Sequence, residues 1–257
     1  LLLSAFTRFF ILNYTFILNR KNFQFIPITF FDILYKGGFM KIALINENSQ
    51  KKKNAFILEV LEKVAKKYGH EVFNYGASET KDANINYVGA GLLTGILLNS
   101  KAVDFVITGC SSGEGIVITA NAMPNVYCGY VADAVDAKLF AKVNAGNAVA
   151  IPFGKYFGAG SEFLLESIFE ALFSTTFAEG YPLERKEIQD TQRKQLEDLK
   201  YSSQIGMREI LEEVDKDFLY GIIHNDYFEE NFFYYSKDDD ISDLLKDLCD
   251  AKSNYDY

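Results

Sequence analysis

From Met40 onward, short apolar runs alternate with longer stretches whose apolar residues recur every three or four positions. Apolar runs of about four to eight residues bounded by turn formers read as buried strands, and the longer spacing reads as one face of a helix. Strands are therefore expected at Lys41–Ile45, His70–Tyr75, Val103–Ile107, Asn125–Tyr130 and Ala148–Ile151. Helices are expected over Asn54–Tyr68, Asn84–Leu98, Ile116–Ala122, Asp133–Val143 and Gly160–Phe173, with a polar loop at Asn46–Lys52. In the first helix Ile57, Leu58, Val60, Leu61 and Val64 fall on one stripe, and Gly69 supplies the stop. Strand–helix alternation at this spacing predicts a doubly wound parallel sheet, whose working end is the carboxyl rim of the strands.

The fold class expected is thus α/β, a five-stranded Rossmann-like three-layer sandwich over residues 40–183. After Pro182 the pattern changes to a helical C-terminal extension, residues 184–257. Glu184–Lys200 and Gly206–Asp217 read as amphipathic helices, Asp226–Tyr235 is aromatic and acidic, and a short last helix is expected near Ile241–Cys249. Residues 1–39 match neither part. They are rich in Phe, Leu and Ile, yet no window reaches the roughly 18 continuous apolar residues that a membrane helix requires. Lys36-Gly37-Gly38-Phe39 can be encoded by a purine-rich tract of the kind that precedes a bacterial start codon, here at Met40. The expectation is a translated leader, with an apolar membrane- or partner-binding arm as the competing reading.

Composition narrows the partners. The net charge is −9 over 257 residues, and four basic residues against one acid in residues 1–39 leave −12 for the remainder. A surface that acidic argues against nucleic acid or an anionic membrane. Three cysteines without CxxC spacing and two histidines, His70 and His224, point to neither a disulfide framework nor a metal centre. A reducing cytoplasm is the expected compartment, and no metal or organic cofactor is expected.

One turn carries chemistry. Cys110-Ser111-Ser112-Gly113-Glu114-Gly115 joins the third strand to the helix that follows it. Such a turn aims backbone N–H groups and the positive end of a helix at one point, beside a thiol. A helix N-terminus favours the thiolate, so Cys110 is a candidate base. Amides of Ser111 through Gly115, aided by the Ser112 hydroxyl, are candidate donors for an oxyanion. The competing reading of Cys110 is a small buried apolar residue.

These motifs carry a resemblance. Met40-Lys41-Ile42-Ala43, the Cys110 turn, and Ala120-Asn121 stand in the register of the ribose-5-phosphate isomerase B and galactose-6-phosphate isomerase family. The resemblance covers about 145 residues from Met40. It implies aldose–ketose isomerisation through an enediolate, with Cys110 at the family's base position and Ser112 at its threonine position. It also implies substrate contacts from Glu47, Asn48, Ser111, Gly113, Glu114, Gly115, Asn121, Asn144 and Arg185. The partner implied is a small anionic sugar, in a homodimer or homotetramer with shared sites, where Arg185 serves a neighbour's pocket.

The departures point to a branch. The family's Asp-His loop is Glu47-Asn48 here, its ring-opening histidine is Val143, and two phosphate-gripping arginines match Tyr127 and Tyr181. A phosphate dianion wants several cationic contacts. Their loss, and the loss of the ring opener, suit an open-chain substrate bearing a carboxylate, as in the 4-deoxy-5-ketouronate ketol-isomerase branch. Two rivals stand beside the isomerase: a non-catalytic sugar-binding subunit of a heteromeric isomerase, and a nucleotide-binding Rossmann-type protein. The second lacks both GxGxxG and GK[ST] in the turn.

Overall fold

Parallel strands need long crossovers to bring the chain back to the same end of the sheet, and each apolar run here except the last is followed by one. The computed structural model describes residues 38–80, 84–155 and 158–253, with side chains to residue 251. The leader or arm expected over residues 1–39 lies outside the described residues apart from its last two. Strands β1 (Lys41–Asn46), β2 (Glu71–Asn74), β3 (Phe105–Cys110), β4 (Cys128–Tyr130) and β5 (Ala148–Pro152) form one parallel sheet in the order β2-β1-β3-β5-β4. The helices between and after them are α1 (Asn54–Lys67), α2 (Tyr87–Asn99), α3 (Glu114–Ala122), α4 (Ala134–Leu139) and α5 (Ser161–Phe173). Right-handed crossovers place α1 and α4 on one face and α2 and α3 on the other. The contacts agree: α2 lies against α3, and α5 lies against both α1 and α4.

The three central strands are buried at nearly every position, as a sheet covered on both faces requires. β3 runs three residues beyond the expected Ile107, because Thr108, Gly109 and Cys110 pair with Ala150, Ile151 and Pro152. Gly109 is needed there, since a Cβ would stand 2.4 Å from both the Ile151 carbonyl and the Phe153 ring. From β1 the chain turns toward β2, and from β3 toward β4, on opposite faces of the sheet. The loops after these neighbouring strands therefore diverge, leaving a crevice at the carboxyl rim.

The extension consists of α6 (Lys186–Ser203), α7 (Met207–Glu213), α8 (Lys216–Ile223), α9 (Asp226–Tyr235) and α10 (Asp239–Ser253). Its role follows from α2, in which every residue from Gly89 to Leu98 is buried. A helix apolar on all sides must be covered on all sides. The sheet and α3 cover part of it, and α7 and α8 cover more, with Ile222 of α8 seated 3.2 Å from where a Gly89 Cβ would be. β2 is an edge strand, and the Asn74 N–H donates to the Tyr227 hydroxyl at 2.9 Å. Phe73 and Tyr75 stack edge-on against Tyr235 and Tyr227 at 4.8 and 5.4 Å. The extension thus shields an edge strand as well as a helix.

Two local expectations change. The helix expected over Gly206–Asp217 ends at Glu213, because Asp215 caps a separate helix, accepting the Phe218 N–H at 2.7 Å. The polar loop at Asn46–Lys52 winds instead into a 3-10 helix, Asn48–Lys53, capped by the Glu47 carboxylate. Among the described residues no helix is long and apolar enough to cross a membrane, and no cluster of three His, Cys, Asp or Glu could hold a metal ion.

Candidate active site

Cys110 ends β3 and is 7% exposed. The chain then reverses through Gly113, whose φ of 81° lies in the left-handed region that favours glycine. This reversal points the Gly113 N–H at Cys110 Sγ, 3.2 Å away, and sets the Ser112 hydroxyl 4.0 Å from the same sulfur. Ser112 Oγ also accepts the Glu114 N–H at 3.4 Å. The first helical bond of α3 runs from Val117 N–H to the Gly113 carbonyl at 3.2 Å. The amides of Glu114, Gly115 and Ile116 therefore precede the helical ladder, at the positive end of α3. Sulfur, hydroxyl and donors converge within one turn.

The β1 loop forms the second wall. Glu47, 9% exposed, hangs from β3 through its own N–H to the Gly109 carbonyl at 3.1 Å. Its carboxylate accepts the Ser49 N–H at 3.0 Å through one oxygen and the Ser49 hydroxyl through the other. Ser49 Oγ lies 2.9 Å from Ser111 Oγ, and the buried Gln50 amide donates to both hydroxyls, at 2.7 and 2.8 Å. Asn48 faces away from this group. Its amide accepts the Ile85 N–H at 3.0 Å and donates to Asn84, clamping the segment that leads into α2.

The third wall is the end of β5. Gly154 donates its N–H to the Ser111 carbonyl at 3.0 Å, and Lys53 Nζ reaches the Phe153 carbonyl at 2.6 Å. Burial holds the Lys53 ammonium below its ordinary pKa. Two tyrosines flank the turn. A Cβ on Gly113 would come within 3.0 Å of the Tyr130 ring, and one on Gly115 within 3.0 Å of Tyr87. Lys155 lies over the Tyr130 ring at 5.6 Å and donates to its hydroxyl at 3.2 Å.

The structure gathers Glu47, Cys110, Ser111, Ser112, Gly113, Glu114 and Gly115 in one place, with Asn48 behind them. Asn121 is engaged elsewhere. Its amide donates to the Val117 and Cys128 carbonyls at 2.9 and 2.8 Å and accepts the Cys128 N–H at 3.0 Å, joining α3 to β4. Asn144 and Arg185 are exposed, one at the end of a π-helical turn and the other in a 3-10 turn before α6. Tyr127 lies beneath Lys200, 5.0 Å from ring centre to Nζ, and burial raises its phenol pKa. Tyr181 is 56% exposed. The other thiols, Cys128 and Cys249, are buried, which pushes them up to about 12 and about 11.

Sequence reasoning passed over Ser49 and Gln50, which follow Glu47-Asn48 directly in the same polar stretch. It also passed over Tyr130, Gly154 and Lys155, which stand at the carboxyl ends of β4 and β5. Their position at strand ends was the available signal.

Comparison with known proteins gives this arrangement a context. The ribose/galactose isomerase profile matches residues 42–189, more than half of the chain, and a ribose-5-phosphate isomerase profile matches residues 205–248. A 4-deoxy-L-threo-5-hexosulose-uronate ketol-isomerase, solved with a tartrate, is 46% identical, with a TM-score of 0.80 over 82% of this chain and 100% of that one. A ribose-5-phosphate isomerase from Vibrio parahaemolyticus is 39% identical, with a TM-score of 0.79 over the same shares. The type B ribose 5-phosphate isomerase of Leishmania infantum, 18% identical with a TM-score of 0.53, shares the fold over 63% of this chain and 97% of its own. No curated protein matches the chain. A three-layer α/β sheet, a glycine turn with its thiol at the carboxyl rim, and relatives matched over their whole length lead to one conclusion: the chain belongs to the ribose/galactose isomerase family and is a sugar isomerase.

Proposed function

We propose that the protein is a cysteine-dependent aldose–ketose isomerase acting on an open-chain 4-deoxy-5-ketouronate. The observation that carries this reading is the Gly113 N–H resting on Cys110 Sγ at 3.2 Å, beside the Ser112 hydroxyl and the first-turn amides of α3. Cys110 takes the proton from the hydroxyl-bearing carbon next to the carbonyl, leaving an enediolate, and returns it to the former carbonyl carbon. The Ser112 hydroxyl and the α3 amides supply fixed donors for the oxyanion, which costs little reorganisation as charge develops. The substrate choice rests on the 46% identical ketol-isomerase and on Val143, Tyr127 and Tyr181. An aliphatic side chain offers no proton for opening a ring, and two tyrosines offer no cation for a phosphate. Asn144 and Arg185, both exposed, are assigned to a neighbouring subunit's site in a homodimer or homotetramer.

The test is to incubate the protein in D₂O with 4-deoxy-5-ketouronate, ribose 5-phosphate or galactose 6-phosphate. Deuterium should enter beside the carbonyl of the ketouronate, and Cys110→Ala should reduce exchange and conversion by at least about 10³-fold. Binding without exchange by the native protein would leave a non-catalytic sugar-binding subunit instead.

A further inference from the structure

An aldose–ketose isomerisation moves two kinds of proton. One travels between neighbouring carbons. The other must leave the substrate hydroxyl and arrive on the former carbonyl oxygen. Cys110 accounts for the first, and the β1 loop holds a group suited to the second. Ser111 Oγ, Ser49 Oγ and the Glu47 carboxylate form a continuous chain from the turn to a carboxylate.

The hydrogen-bond valences give this chain a direction. The two N–H groups of Gln50 are both donated, one to Ser49 Oγ at 2.7 Å and one to Ser111 Oγ at 2.8 Å. Reversing the amide would orphan two donors, whereas the orientation observed leaves only Gln50 Oε1 buried without a partner. Each hydroxyl oxygen thus already accepts a Gln50 N–H. Glu47 accepts the Ser49 hydrogen, so the hydrogen between the two serines belongs to Ser111 and points to Ser49. Ser111 is solvent-exposed and keeps one lone pair for an incoming O–H. Every hydroxyl hydrogen in the chain faces the carboxylate.

We infer that Ser111, Ser49 and Glu47 form a proton relay for the substrate's oxygens, held in register by Gln50. This rests on the isomerase reading above. The substrate O–H bond breaks as an O–H bond forms at Ser111. The Ser111 hydrogen passes to Ser49, and the Ser49 hydrogen passes to a Glu47 carboxylate oxygen. Reversal delivers the same proton to the other enediolate oxygen, so the relay ends as it began. Ser111 touches the substrate, while Ser49 and Gln50 act through it.

The experiment compares deuterium wash-in at carbon with net conversion of 4-deoxy-5-ketouronate in D₂O. For Ser49→Ala, conversion should fall by about 10²-fold while wash-in falls by less than about tenfold, because Cys110 still forms an enediolate that reverts. Glu47→Gln should show the same split, and Ser49→Thr, which keeps the hydroxyl, should hold conversion within about tenfold of native. A proportional fall of wash-in and conversion in both Ser49→Ala and Glu47→Gln would overturn the relay. Neither wash-in nor conversion by the native enzyme is a separate failure, that of the isomerase reading itself.

Discussion

Gly154 and Ser111 meet backbone to backbone. The Gly154 N–H donates to the Ser111 carbonyl at 3.0 Å, and a Cβ at 154 would stand 2.6 Å from the Ser111 Cα. The end of β5 thereby fixes the serine that follows Cys110 in the glycine turn. Gly154→Ala must push that turn outward, at a cost of about 1–3 kcal/mol. Activity should fall at least about 10²-fold, since displacement of a reacting group by an ångström has that effect. Thermal melts together with kcat/KM check it, and a native-like kcat/KM would count against this account.

The extension should be integral to the fold. Ile222 is 1% exposed and lies against α2. Ile222→Ala should destabilise by about 2–5 kcal/mol, measured by urea unfolding. An unchanged midpoint would mean that α8 does not cover α2 in solution.

The Asn121 side-chain amide makes three hydrogen bonds, one within α3 and two to Cys128 of β4. Asn121→Ala leaves the Cys128 N–H without its acceptor, costing about 1–3 kcal/mol. KM should move less than threefold, roughly within the noise of an indirect effect. A tenfold rise in KM with stability intact would put this amide on the substrate instead.

Lys200 couples stability to pH. Burial lowers its pKa from 10.5 to about 8, while the nearby Cys128 acts in the opposite direction. Its ammonium also donates to the Asn121 and Val126 carbonyls. The folded state releases this proton before the unfolded chain does, so the unfolded chain binds more protons between about pH 8 and 10.5, and stability rises with pH there. Partial exposure limits the gain to about 1–2 kcal/mol. Lys200→Met should flatten that slope, as chemical denaturation at pH 8 and pH 10 would show.

Much of this was legible in one dimension. The alternation of apolar runs placed five strands, the four crossover helices between them and the helix after the last, since backbone pairing and burial impose their periods on any chain that forms a covered parallel sheet. The Cys110 turn was legible because a strand that must stop, reverse and start a helix needs a glycine such as Gly113, and that glycine marks the rim. The aromatic segment Asp226–Tyr235 gave no such signal, because its helix forms by docking on the edge of β2 rather than by its own spacing. The break between α7 and α8 depends on one capping side chain, Asp215, inside an otherwise continuous amphipathic pattern.

The site shows the same division. Residues consecutive in the turn could be read together, because chain connectivity alone keeps Cys110, Ser112 and Gly113 close. Ser49 and Gln50 stand some 60 positions from Ser111, and only the pairing of β1 with β3 brings their loops together. Asn121 illustrates the converse: its residue type and register suited a pocket, but folding aimed the amide at β4. The order of residues thus determined the sheet and the thiol at its rim. Which polar side chains meet that thiol was decided by tertiary structure, since hydrogen bonds reach about 3 Å and depend on direction.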